Sequence, residues 1–201
     1  MLIMQTKYTK SAVKSRKEIS HDRIVDVAAR AIRRSGYDGT GVADIMKEAG
    51  LTHGGFYAHF ASRDALLVEA GDRACAESVA FASRVVAAAQ PGQALQAIME
   101  AYLSPEHISA IETGCPVSAL GSEMPRQSPE VRHAATLHIK EMIDLIARQL
   151  PDWGTQQAHE QAMALLCSLI GTTMIARAVD DPALSEALRA ATMKQFTPAA
   201  E

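Results

Sequence analysis

Gly50-Leu51-Thr52-His53-Gly54-Gly55-Phe56-Tyr57-Ala58-His59-Phe60, GLTHGGFYAHF, packs three glycines, two histidines and three aromatic residues into one short run. A glycine inside a helix costs about 1 kcal/mol relative to alanine, so two adjacent ones make poor filler. They suit a backbone that must approach another molecule closely, because they remove side-chain bulk at the point of contact. Phe56 and Phe60, one turn apart, would anchor the run to a small core, leaving Tyr57 and His59 to project elsewhere. A surface loop is the competing reading of Gly54-Gly55.

The residues upstream favour the helix. Ser20 is expected to cap a first helix, with Asp22 in its first turn and Ile24, Val27, Ala28, Ala31 and Ile32 as its apolar stripe. Arg33 and Arg34 fall in its last turn, and Gly36 can adopt the positive φ that ends it. Thr40 is expected to cap a second helix carrying Val42, Ile45, Met46 and Ala49. Gly50 and Leu51 then form a tight turn, and Thr52 caps a third, short helix. Two short helices about a glycine turn, packed on a longer one, make a helix-turn-helix over residues 20–65. Residues 1–19, with Lys7, Lys10, Lys14, Arg16 and Lys17, read as a flexible basic arm.

Charge supports that division. The net charge of −3 conceals eleven Lys or Arg against six Asp or Glu in residues 1–63, and nine against seventeen in residues 64–201. Cationic side chains release counterions condensed on phosphates, so double-stranded DNA is a natural partner for the first part only.

The stretch Gly36 to Leu67, GYDGTGVADIMKEAGLTHGGFYAHFASRDALL, resembles the DNA-binding signature of TetR/AcrR-type transcriptional regulators. The resemblance implies phosphate contacts from Thr40, Tyr57 and His59. It also implies that the segment Thr52, His53, Gly54, Gly55 and Phe56 faces the bases. Arg63 stands where the family usually has Lys near the start of the fourth helix, and would reach the DNA backbone. Gly41 departs from the Ser or Thr often found beside Thr40.

Residues 66–201 are expected to form a larger helical domain for effector binding and dimerisation. The chain is rich in Ala, Leu, Ile and Met, which favour helices, and poor in strand-like alternation, so the fold class is all-α. Ser62 caps a helix running into the eighties. Gln90-Pro91-Gly92 breaks the chain before a helix through Leu95, Ile98, Met99 and Tyr102. Further on, Pro129 to Leu150 carries one apolar face, and Thr155 caps a helix with a broad apolar arc. Ile139, Ile143, Ile146, Leu166 and Ile170 from these two helices are the expected homodimer interface, a four-helix arrangement that the resembled family also uses. Paired half-sites in a palindromic operator would follow, about 34–36 Å apart.

Met99, Tyr102, Leu120, Met124, Met142, Leu145, Met163, Cys167 and Met174 supply a soft surface suited to an apolar or aromatic small-molecule effector. A plain core accounts for the same residues. A cavity of several hundred Å³ would favour a sensor, whereas a closed core would favour an architectural DNA-binding protein without a switch. In TGCPVSALGSEMPRQSPEVR, Thr113 to Arg132, Gly114 and Pro116 place Cys115 at a helix start. Free amide donors there would favour its thiolate, making it a candidate redox or electrophile sensor. GCPVSAL also resembles a segment of one branch of these regulators. Cys75 and Cys167 lie in apolar helical patterns and are expected to be shielded.

Other classes find little support. No Gly-x-Ser-x-Gly, phosphate-binding loop, dinucleotide fingerprint or His-Glu-x-x-His occurs, so neither an enzyme nor a metal site is expected, and no cofactor is implied. No apolar run approaches a membrane span, and the start of the chain lacks a convincing signal peptide, so a cytoplasmic location is expected.

Overall fold

The computed structural model describes residues 14–197. The remainder of the expected basic arm, residues 1–13, lies outside them. The described residues are helical throughout, in two parts sharing one long helix.

Helix α1, Arg16–Ser35, starts earlier than the sequence suggests. Ser15 Oγ accepts the Glu18 N–H at 3.2 Å and the Glu18 carboxylate accepts the Ser15 N–H at 2.6 Å. This reciprocal capping box satisfies two free amide donors. The Ser20 start lacks it, because Arg23 stands where the returning acid would have to be. Residues 16–19 are therefore the first turn of α1 and not arm. Its inward stripe Ile24, Val27, Ala28, Ala31 and Ile32 is buried, and Gly36 ends the helix at φ 77°.

Helix α2, Val42–Glu48, is capped by the backbone of Gly41, one residue after the expected Thr40. Gly50, at φ 68°, turns the chain into a 3-10 helix, His53–Ala58. That segment is tighter than the α-helix expected. Ser62 Oγ then accepts the Ala65 N–H at 3.1 Å and opens α3, Arg63–Ala88.

At 26 residues, α3 is about 39 Å long and runs through two cores. The first gathers Ile24, Ile32, Tyr37, Ile45, Met46, Phe56, Phe60 and Leu66, together with Leu120 and Val131 from later in the chain. The second holds Val79, Ile98, Met99, Leu103, Met142, Ile146, Leu165, Leu166 and Leu169. It is built by α4, Ala94–Tyr102; α7, Pro129–Ala147; and α8, Gln156–Ala178. The short α5, Pro105–Ser109, and α6, Pro116–Leu120, fill one side, a 3-10 turn covers Met124–Arg126, and α9, Pro182–Phe196, packs on α8. Helix α6 stops at Leu120, after five residues. Against expectation, α8 is long and apolar enough to cross a membrane by length and composition alone. Here it lays Leu165, Leu166 and Leu169 into the second core.

Candidate DNA interface and effector site

In the first core Phe56 and Phe60 stack with ring centroids 5.5 Å apart and hold the 3-10 helix against α2. That anchoring turns Thr52, His53, Gly54 and Tyr57 to solvent, with Tyr57 72% exposed. A Cβ added at Gly54 would meet nothing within 4 Å, and one at Gly55 would meet only Thr52 Oγ1 at 3.6 Å and the Met46 methyl at 3.8 Å. Neither glycine has a positive φ. Nothing inside the fold demands them.

Two expected phosphate contacts are used internally instead. Thr40 is buried, and its hydroxyl donates to the Gly36 carbonyl at 2.7 Å. Arg63 donates through Nε and Nη2 to the Thr40 carbonyl at 3.3 and 3.2 Å and through Nη2 to that of Tyr37. Its cation is turned inward and clamps the α1–α2 turn by two of that turn's carbonyls. His59 is half-buried beside His21, with Nδ1 enclosed and unpartnered. Burial, and then the charges of His21 and Lys17, push its pKa down. It presents a neutral imidazole edge, not a cation.

The second part departs further from the sequence reading. Ile146 and Leu166 are buried in the second core, Ile139 and Ile170 line a small cavity, and Ile143 packs against the same core. Ile139, Ile143 and Ile170 are half-buried, and α7, α6 and α4 pack against α8 on the core side. The most exposed apolar residues lie beside Ile170 on α8, away from the core: Met163, Met174 and Ile175 are 38, 40 and 50% exposed, with exposed Cys167 between them and Leu184 on α9.

The expected effector residues scatter accordingly. Tyr102 and Met142 line the cavity; Met99 is core, and Leu145 packs against that core. Leu120 and Met124 belong to the first core, and Met163, Cys167 and Met174 face outward. The cavity itself is about 20 Å³, well short of several hundred. Cys115 is the residue before α6 as expected, but its sulfur accepts no amide hydrogen bond and the residue is 4% exposed. The exposed thiol is Cys167, while burial pushes the Cys75 thiol up to about 12.

Polar groups beside this cavity went unrecognised in the sequence. The Tyr102 hydroxyl lies near Cys115 and Ser118 without a well-formed hydrogen bond to either. Ser118 Oγ, Thr173 Oγ1, His107 Nε2 and Arg177 Nη1 are likewise buried and unpartnered. The rings of Tyr102 and His107 are 4.7 Å apart. Burial and then the Arg177 charge push His107 down to about 4, and burial holds the Tyr102 phenol well above its usual range. Leu166, Ile170, Thr173 and Arg177 form one helical stripe that continues the cavity wall. An arginine in a last turn reads as a partner for the helix dipole, which hid it.

Comparison with known proteins agrees with this architecture. Residues 24–70 match the family described as bacterial regulatory proteins, tetR family, and residues 91–196 match the LmrA/YxaF-like transcriptional regulator C-terminal domain. The chain belongs to the TetR family. Membership brings with it DNA binding through the helix-turn-helix, transcriptional regulation and dimerisation. An uncharacterized HTH-type transcriptional regulator of Mycobacterium tuberculosis is 30% identical over 166 residues, covering 78% of this chain and 83% of that protein. The HTH-type transcriptional regulator LmrA of Bacillus subtilis is 27% identical, covering 70% of this chain and 76% of that one. A TetR-family regulator from Agrobacterium tumefaciens superposes with TM-score 0.75 at 21% identity, covering 90% of this chain and 100% of that one. The reduced form of Escherichia coli NemR gives 0.74 at 18% identity, covering 88% and 94%.

Proposed function

We propose that this TetR-family protein is a repressor that binds a palindromic operator as a homodimer and is released by a small molecule bound in the body. The observation that carries the release step is a physical link between head and cavity wall. Arg33 of α1, fully buried, pairs with Glu77 at 2.5 Å and donates to the Gly114 carbonyl at 3.3 Å. The Glu123 carboxylate accepts the Tyr37 N–H at 2.8 Å, and Arg34 reaches Glu112 at 2.9 Å. Residues 112–123 thus grip the end of α1, and within them Cys115, Pro116 and Val117 wall the cavity.

A ligand that displaces α6 therefore moves the seat of α1. In a dimer joined at the outer faces of α8 and α9, that movement changes the spacing of the two recognition segments. An effector preferring the mismatched spacing lowers operator affinity by population shift. Gly54 and Gly55, required by nothing inside the fold, support close approach of the 3-10 helix to DNA. Cys115 supports a thiol-triggered variant of this switch poorly, since its sulfur is enclosed.

The small cavity favours a second reading, a DNA-binding protein with no small-molecule switch. Selection from randomised duplexes, followed by operator-binding measurements with candidate ligands, separates the two. The expected result is an enriched inverted repeat with half-sites one helical turn apart, and ligand-dependent release. A folded dimer that enriches no sequence overturns the regulator, and an operator complex indifferent to every ligand favours the second reading.

A further inference from the structure

Five unpartnered polar atoms in one region of the second core are costly, since each buried donor or acceptor has given up its hydrogen bonds to water without replacing them. Most satisfy their needs in a folded protein. Here Tyr102, His107, Ser118, Thr173 and Arg177 all fail to, on four different helices.

Arg177 sets the sign of what they would accept. Its Nε donates to the Ile108 carbonyl at 2.8 Å and one Nη donates to that of His107 at 3.0 Å. The other Nη is buried and free, and among the described residues no carboxylate pairs with this guanidinium. Its neighbours offer the Cys115 thiol, a phenol, an aliphatic hydroxyl and a neutral imidazole, none of which is a carboxylate. A second cation would be repelled, and a neutral alcohol would leave the guanidinium unmatched. A carboxylate supplies several acceptor sites to such donors, and charge-assisted bonds of this kind are the strong ones.

We infer that this cluster seats the acidic head of an apolar small molecule, with a carboxylate bound by Arg177, Tyr102 and Ser118 and the hydrocarbon part lying toward Met142, Leu166 and Ile170. The inference rests on the ligand-responsive reading above and names the chemical class of that ligand. Access is through His107. It lines a cleft of about 450 Å³ between α1, α3, α4 and α5, whereas Tyr102 lines the small apolar cavity. Ser78 borders both, and the His107 ring is stacked between Phe81, 5.5 Å away, and Tyr102. Displacing that ring joins the two spaces. The small cavity has room for about one water, so a hydrocarbon tail enters only when α6 or α5 gives way. Occupancy is thereby tied to the segment that grips α1.

The test uses the full-length protein and three acids, octanoate, 4-phenylbutyrate and 1-naphthoate, each against its own primary amide. Titration calorimetry reads binding, and fluorescence anisotropy with the selected operator reads release. At least one acid is expected to bind about tenfold more tightly than its amide, which is one charge-assisted bond's worth of affinity. Arg177→Gln should erase that preference. Because Arg177 also holds two carbonyls, Tyr102→Phe and Ser118→Ala provide gentler tests. Each removes one hydroxyl and should weaken the acid severalfold while leaving its amide unchanged. Amides that match the acids, variants that bind acid like the unaltered protein, or no acid binding below about 1 mM would each overturn the acid seat. Operator release by amides alone would keep the ligand-responsive reading and remove the acid. Acid binding of the expected preference without any change in operator affinity would do the reverse.

Discussion

In the head, Arg63 donates to the carbonyls of Tyr37 and Thr40, Thr40 donates to Gly36, and Arg33 is paired with Glu77. In the body, Tyr102, His107, Ser118, Thr173 and Arg177 each keep a buried polar atom without a partner. His59 Nδ1 is the exception on the head's side. The head commits its interior polar groups to making a rigid platform and displays glycine, histidine and tyrosine on its surface. The body does the opposite, leaving donors open inside while showing methionine and isoleucine on the outer face of α8. The head turns its polar chemistry outward, and the body keeps its own inside.

The outer face of α8 provides the harshest way to break that comparison. Met163→Glu with Ile175→Glu should convert the dimer to monomer by light scattering. Operator affinity should fall about a thousandfold or more, toward non-specific binding. Leu166→Glu, by contrast, should unfold the protein, because that side chain lies in the second core. A stable dimer in the first variant would place the interface elsewhere.

Within the head, Phe56→Ala should cost about 3–5 kcal/mol of stability in a denaturant titration, the usual loss for a buried aromatic. Tyr57→Phe, at an exposed position, should leave stability unchanged. It should weaken operator binding by about 1 kcal/mol, the value of one hydrogen bond, equally across sequences.

Gly54→Ala sharpens the distinction between fold and function. The added methyl meets open space, so the melting temperature should hold or rise, corresponding to at most about 1 kcal/mol. Operator affinity measured by anisotropy should nevertheless drop. Equal affinity would show that the glycine serves neither purpose.

The smallest effect is a pH dependence in the body. His107 titrates at about 4 in the folded chain, against about 6.5 when unfolded. Below pH 6.5 the unfolded state binds more protons, so stability is lost as pH falls toward 4. His107→Gln should remove that component from melting curves recorded between pH 7.5 and 5. About 1 kcal/mol is expected, allowing for the ring's partial exposure.

Much of residues 20–60, apart from the caps at Ser20 and Thr40, was legible because its signals are local. A 3.6-residue stripe, a glycine turn and paired phenylalanines specify their neighbours within a few residues. The body defeated the same method at definite places. Ile139, Ile146 and Leu166 share the composition of an interface and of a core, and periodicity cannot say which face meets another helix of the same chain. Cys115 carried every sequence mark of an exposed cap, yet α4 and α8 close over it.

By itself, the sequence determined an all-helical chain, the helix-turn-helix and its outward Thr52, His53, Gly54 and Tyr57, the cap at Ser62, and the sign of charge in each half. Each of these depends on residues a turn or two apart, where backbone geometry and hydrogen-bond needs leave few alternatives. Only the tertiary structure decided that Thr40 and Arg63 serve the α1–α2 turn. It alone showed that Leu166 is core while Met163, Met174 and Ile175 stay exposed on α8, and gathered Tyr102, His107, Ser118 and Arg177 into one place. Those outcomes depend on which distant helices meet, and so on burial and charge contributed by residues up to 75 positions apart.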